Sequence, residues 1–204
     1  VNPSETPNWH RETCVILASG PSLSTEQVAR VRASGTRVIA VNNSWELAPW
    51  ADVLYACDYL WFRENIDRAA KGFMGDIWTQ DRAAAERWPY QLHWLRHSAQ
   101  DGLGLRALNT NGNSGFGAIN LGYLFGSRRL LLLGFDMKLG PNGEKHWHAD
   151  HSKPLVQAQT FDEWMRKGAK LAHDLKAAKC EVINCTPGSA MSCFPMSTIE
   201  KELA

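Results

Sequence analysis

Short apolar runs that stop abruptly at small polar residues, each followed by a helix-like stretch, constrain this chain more than any other feature. Residues 13–18 (TCVILA) run into Ser19-Gly20-Pro21-Ser22, residues 37–41 (RVIAV) into Asn42-Asn43-Ser44, and residues 52–56 (DVLYA) into Cys57-Asp58. Residues 129–133 (RLLLL) stop at Gly134-Phe135-Asp136, and residues 181–185 (EVINC) at Thr186-Pro187-Gly188-Ser189. Runs of this length, rich in β-branched residues and leucine, fit strands covered on both faces. Ser24 and Gln27 form the capping-box pattern at the head of residues 24–34, and Gly35 closes that helix. Helices are also expected over 82–88, 116–125 and 156–178, with a further strand over 75–79; the rest of the middle has no regular pattern. Gly117, Ala118 and Gly122 suit close backbone packing in the helix over 116–125. This alternation predicts an α/β, Rossmann-like three-layer fold with a mostly parallel central sheet. The most apolar strand, 129–133, is expected near its centre.

Composition narrows the class. With 204 residues and no convincing linker, the chain reads as a single nucleotide-binding Rossmann-like domain over 1–204. Lys and Arg number 22 against 21 Asp and Glu, so a net charge of +1 gives no electrostatic case for coating nucleic acid or anionic membrane. No run of about eighteen apolar residues occurs, so no membrane span is expected. The first residues (VNPSETPNWHRET) lack the basic-then-apolar pattern of a signal peptide. The five cysteines have no CxxC spacing and read as buried, reduced thiols of a cytoplasmic protein rather than zinc ligands.

In an open parallel sheet, ligands bind beyond the carboxyl ends of the strands. Ser19, Gly20, Pro21 and Ser22 offer backbone N–H groups at a helix N-terminus, a combination suited to phosphate, although neither GxGxxG nor a P-loop is present. Asn113-Ser114-Gly115 makes a second such junction. Asn42, Asn43, Asp58, Asp136, Gly188 and Ser189 stand at the other strand ends. Residues 138–154, rich in Gly, Pro and His, read as a mobile active-site loop. Three readings of its His146, His148 and His151 stay open: a metal site, general acid–base catalysis by one histidine, and a polar loop with incidental histidines. Of the nine tryptophans, Trp45, Trp61 and Trp147 lie where they could stack on a base or sugar, with core or subunit contacts as the first expectation. Trp78, Trp88, Trp94 and Trp164 read as packing in the core or between subunits of a homo-oligomer.

The segments VILASGPSLS, VIAVNNSW, NSGFGAINLGYLFGSRRLLLLGFDM, HSKP and VINCTPGS follow one another in an order that resembles the bacterial sialyltransferases of glycosyltransferase family 42. The chain is also similar to the related motility-accessory-factor glycosyltransferases and 6-hydroxymethylpterin diphosphokinases, a group with small phage-encoded members. The resemblance implies that Gly20, Pro21 and Ser22 form the first nucleotide-phosphate loop and that Asn42 and Asn43 lie against the nucleotide. By the same resemblance Asp58 falls at a nucleotide-contacting Asn, Ser114 and Gly115 hold the nucleotide near the second helix, and His151 is the general base on the acceptor hydroxyl. The chain departs from that pattern in having no tyrosine between Asp136 and His151 to stabilise the departing phosphate; Lys138 is the nearest cation for that task.

The reading that results is a nucleotide-dependent transferase, foremost a glycosyltransferase using a nucleotide-sugar donor, with His151 and Lys138 catalytic and no resident metal. Its acceptor is a glycan, a protein or a modified DNA base. Two alternatives accompany it: a Mg²⁺-dependent diphosphokinase with Asp58 and Asp136 as ligands, and a non-catalytic nucleotide-binding protein.

Overall fold

The computed structural model describes residues 6–148 and 160–204. Among the described residues seven strands, β1 (Thr13–Leu17), β2 (Arg37–Val41), β3 (Val53–Tyr55), β4 (Asp76–Thr79), β5 (Leu92–Trp94), β6 (Arg129–Leu133) and β7 (Glu181–Asn184), alternate with six α-helices. The helices are α1 (Thr25–Ser34), α2 (Tyr59–Gly72), α3 (Arg82–Arg87), α4 (Ser114–Leu124), α5 (Phe161–Ala177) and α6 (Ile199–Glu202). Every strand pair is parallel, in the order β5-β4-β3-β2-β1-β6-β7. The expected α/β Rossmann-like three-layer architecture is therefore present, with a sheet that is wholly parallel.

Alternate residues along the strands divide the core into two layers. Cys14, Ile16, Ile39, Tyr55, Leu130 and Leu132 pack with α4 and α5 on one face. Val15, Leu17, Val38, Leu54, Leu131 and Leu133 pack with α1, α2, α3 and α6 on the other. α1 begins as the capping box requires: the Gln27 amide donates to Ser24 Oγ at 3.3 Å and the Ser24 amide to Gln27 Oε1 at 3.0 Å. α4 is buried from Gly115 to Gly122, so it is a central helix without a polar face. β6 is buried on both faces as its sequence demands, but it lies one strand in from the β7 edge rather than at the centre. α2 and β5 carry no sequence expectation. The α2 signal was present, since Trp61, Phe62, Asn65, Ile66 and Ala69 are buried at helical spacing. β5 is three half-buried residues at the sheet edge, too short for any period.

The chain steps outward from β1 to β5 and then returns across the sheet to place β6 on the other side of β1. That return crosses five strand spacings, about 24 Å, which is why residues 95–113 form a long connection without regular structure. Its backbone is held by buried amides. Asn120, fully buried in α4, accepts from the Gly104 and Asn109 amides at 2.9 Å each and donates to the Gly104 carbonyl at 2.9 Å. Asn111 takes the Gly102 amide at 2.6 Å and donates to the Gly102 carbonyl at 3.2 Å. Asn120→Ala should leave three buried backbone groups unpaired and lower unfolding stability by about 3 kcal/mol; urea denaturation measures it, and a loss under about 1 kcal/mol would show that the connection does not depend on this side chain.

Candidate functional site

A cleft of about 500 Å³ opens at the carboxyl ends of β1, β2, β3 and β6. The sheet brings nine of the sequence-derived residues into its lining: Ser19, Gly20 and Pro21 after β1, Asn42 after β2, Asp58 after β3, Ser114 and Gly115 at the head of α4, and Asp136 and Lys138 after β6. Gln80, Thr110, Lys145, His146, Phe161 and Trp164 also line it, and of these only His146 stood among the sequence candidates. Gln80 follows β4 as Asp58 follows β3, a placement visible once β4 is recognised. Trp164 shows no signal beyond its helix period.

The strand order reverses between β1 and β6, and this switch point is where an open sheet of this kind leaves a crevice. Here the crevice is closed. The ladder continues beyond both strands, through Ala18 N–H to the Leu133 carbonyl at 2.8 Å and Gly20 N–H to the Gly134 carbonyl at 2.9 Å. The Asp136 carboxylate then reaches across. Its Oδ1 accepts from the Ser22 amide at 3.2 Å and its Oδ2 from the Ser22 hydroxyl at 3.0 Å. A Cβ on Gly20 would collide with Asp136 Oδ2 and the Gly134 carbonyl, so no other residue fits there. Gly134 holds φ +73°, the left-handed turn that swings Phe135-Asp136 over the β1 loop.

The Ser22 donors therefore point inward. The same is true of the last strand-end motif: Thr186 Oγ1 accepts from the Phe135 amide at 2.9 Å, Ser189 Oγ donates to the Phe135 carbonyl at 2.6 Å, and the Ala190 amide to the Asp136 carbonyl at 2.8 Å. Gly188 and Ser189, expected against a nucleotide, do not line the cleft; they belong to the turn that clamps the backbone carrying Asp136. Asn43 is also a departure. Its Oδ1 accepts the Trp61 indole N–H at 2.8 Å, tying the turn after β2 to α2.

The cleft has two chemically different ends. Lys138, exposed, stands at the β6 side, and Lys145, also exposed, lines the cleft two residues before Trp147. Asp58 and Gln80 stand at the β3–β4 side, roughly three strand spacings or about 14 Å away. Asp58 heads α2 without capping it, and desolvation by the cleft wall, with a smaller contribution from Asp81, raises its carboxyl above the usual range. Tyr55 donates its hydroxyl to Gln80 Oε1 and so fixes that amide. Cys57 Sγ and Ser114 Oγ share a hydrogen bond at 2.8 Å; burial, then Asp58, pushes this thiol up to about 12, which makes it a poor nucleophile. Asn42, at φ +50°, holds a buried Oδ1 that has no partner among the described residues. At α4, Asn113 Oδ1 caps the Gly115 and Phe116 amides at 2.8 and 3.4 Å.

His146 reaches the cleft and stacks on His148 with ring centroids 5.0 Å apart. Trp147 docks that segment on the β1 loop, its amide donating to the Ser19 carbonyl at 3.1 Å and its indole N–H to Ser44 Oγ at 3.3 Å. His151 lies outside the described residues, as do 149–154 of the expected loop. Among the described residues no group of three or more His, Cys, Asp or Glu is placed to hold a metal ion. Trp45 and Trp61 are buried in the core, as the packing alternative expects, and Trp147 is a fastening. Trp61 and Trp164 both border the cleft; Trp164 is 6% exposed, with its N–H on the Gly112 carbonyl at 3.1 Å.

No protein-family model matches the chain, and no curated protein matches it. Among solved structures it is similar to an uncharacterised protein of Mycobacterium paratuberculosis, at 15% identity and a TM-score of 0.27, over 93% of this chain and 72% of the other. A likeness of that degree carries no argument. Among the described residues, no helix is long and apolar enough to cross a membrane.

Burial raises the Asp136 carboxyl above its ordinary value, against the lowering effect of the two Ser22 hydrogen bonds and of Lys138. A carboxyl whose folded pKa is raised favours the folded state while protonated, and that advantage is lost as pH rises through the unfolded value of about 3.9 toward the folded one. Asp136→Asn keeps the neutral form at all pH. Its stability relative to the parent should therefore improve between about pH 3 and pH 7, measured by urea unfolding at both; no change in the difference would mean that the ionised carboxylate carries no net cost.

Proposed function

We propose that the protein is a nucleotide-dependent transferase, a glycosyltransferase that moves a sugar from a nucleotide-sugar donor to an acceptor hydroxyl. The observation that carries this reading is the two-ended cleft: Lys138 at the β6 side, a carboxyl and an amide at the β3–β4 side, and about 500 Å³ of space with Lys145 also on its lining. That volume and that polarity suit a ligand with phosphates at one end and hydroxyls or a base at the other. The unpartnered Asn42 Oδ1 supports it, because a buried acceptor without a donor costs stability unless a ligand supplies one. The ordered strand-end motifs that resemble the family 42 sialyltransferases support the glycosyl class.

In this reading the donor phosphates lie toward Lys138, where positive charge offsets the departing nucleotide, while Ser114, held on Cys57 at 2.8 Å, stands at the Asp58 end. Asp58 and Gln80 take the hydroxyl or base end; a carboxylate there would repel phosphate but accepts from a ribose hydroxyl. His151, which follows the His146–His148 segment, takes the proton of the acceptor hydroxyl. Transfer then breaks the bond between the sugar and the donor phosphate and forms one to the acceptor oxygen.

Thermal unfolding with CMP, UDP and ATP, each with and without Mg²⁺, tests the ligand class. CMP or UDP should stabilise the protein without metal, by about 2.7 kcal/mol at a hundredfold excess over Kd. Strictly Mg²⁺-dependent stabilisation by ATP would replace this reading with the diphosphokinase one. His151→Ala should leave nucleotide binding intact and lower transfer by about 10²–10⁴-fold; unchanged turnover would remove His151 from the mechanism.

A further inference from the structure

We propose that Asp136 is a built-in occupant of an anion seat in the loop between β1 and α1, and that by filling it this carboxylate decides where a ligand's phosphates can bind. Strand-end loops that lead into helices commonly hold phosphate on backbone N–H groups and a hydroxyl. The loop after β1 has those donors, and all of them between residues 20 and 24 are already spent. The Gly20 amide donates to Gly134, the Leu23 amide to Gly20, and the Ser24 amide to Gln27. The Ser22 amide and hydroxyl converge on the two oxygens of Asp136, at 3.2 and 3.0 Å. That is the arrangement in which a strand-end loop receives an anion, two residues before the Ser24 cap of α1, with a side chain 114 residues away as the anion.

A ligand phosphate is a poor competitor for this position. Asp136 is tethered two residues beyond β6-Gly134, and its backbone is gripped by Thr186, Ser189 and Ala190. A preorganised tethered group acts at an effective concentration far above that of a dissolved phosphate, which is millimolar at best for cellular metabolites. The carboxylate also lines the cleft, so it repels a second anion placed beside it. Gly20 leaves room for the carboxylate and for nothing else. Asp136 is thus a specificity-determining residue: it denies phosphate the Ser22 seat and directs it toward Lys138. This deepens the nucleotide reading of the cleft and rests on it for the identity of the ligand, but the occupancy of the seat is testable with pyrophosphate alone.

Titration of the parent protein with pyrophosphate, followed through the Ser22 amide by NMR, should leave that resonance unmoved while resonances near Lys138 shift. Asp136→Ala vacates the seat and should raise pyrophosphate affinity by about a hundredfold or more, the worth of two hydrogen bonds to a charged group. Ser22→Ala in that background removes the hydroxyl donor and should reduce the gain by about tenfold, and it should change parent affinity by less than about twofold. Asp136→Asn, which keeps the seat filled, should show no gain. A loss of structure in Asp136→Ala would not produce a Ser22-dependent gain, and the parent titration needs no variant. The proposal is overturned if pyrophosphate shifts the Ser22 amide of the parent, or if folded Asp136→Ala gains nothing. Ser22-dependent pyrophosphate binding by Asp136→Ala, alongside a parent that ignores every nucleotide, would uphold the seat and sink the nucleotide reading instead.

Discussion

The clasp between the Asp136 carboxylate and Ser22 is the interaction on which the functional end of this molecule depends. It joins the loops after β1 and β6, adjacent strands far apart in sequence, at the point where the sheet reverses its order. A carboxylate 5% exposed is costly to ionise, and its raised pKa registers that cost. Two hydrogen bonds to a charged acceptor, each worth about 1.5–3 kcal/mol, offset much of it. With the β1–β6 crevice closed, the open volume lies toward β2 and β3 and between the heads of α2 and α4. The clasp thereby sets both the location of the cleft and the sign of charge along its wall.

A second polar device works on the other side of the same cleft. The chain must return from the β5 edge to β6, and a connection of that length loses conformational entropy that apolar contacts alone do little to recover. Asn120, Asn109 and Asn111 supply fixed hydrogen bonds for it. Asn113 then caps α4, and Ser114 comes to rest against Cys57 at the end of β3. Buried amides in the return thus position a hydroxyl in the cleft. The chain from packing to chemistry runs through α4, whose buried circumference leaves it little freedom to shift.

Much of the frame was legible in the sequence, and the reasons are local. β2 and β6 have the bounds their apolar runs imply, and Ser24 with Gln27 announces α1 because both partners of a capping box lie within four residues. β5 was not legible, since three residues carry no period and pairing with β4 alone makes them a strand. The site residues were legible as a set and not as roles. Ser22, Asn43 and Ser189 are the residue types that hold ligands, but each spends its polar atoms on another part of the protein. Trp164 is the reverse case, a helix residue that reads as packing and borders the cleft.

By itself the sequence determined the alternation of strands and helices, the parallel sheet, and the collection of small polar residues at the strand ends. These follow from side-chain periodicity and from turn and cap chemistry, which act over a few residues. Only the tertiary structure decided which of those polar groups face the cleft and which face one another. A hydroxyl and an amide have the same affinity for an anion whatever its source, and nothing local distinguishes a bound phosphate from the carboxylate of Asp136. The sheet order brings that carboxylate to Ser22, and the contact exists only once β6 lies beside β1.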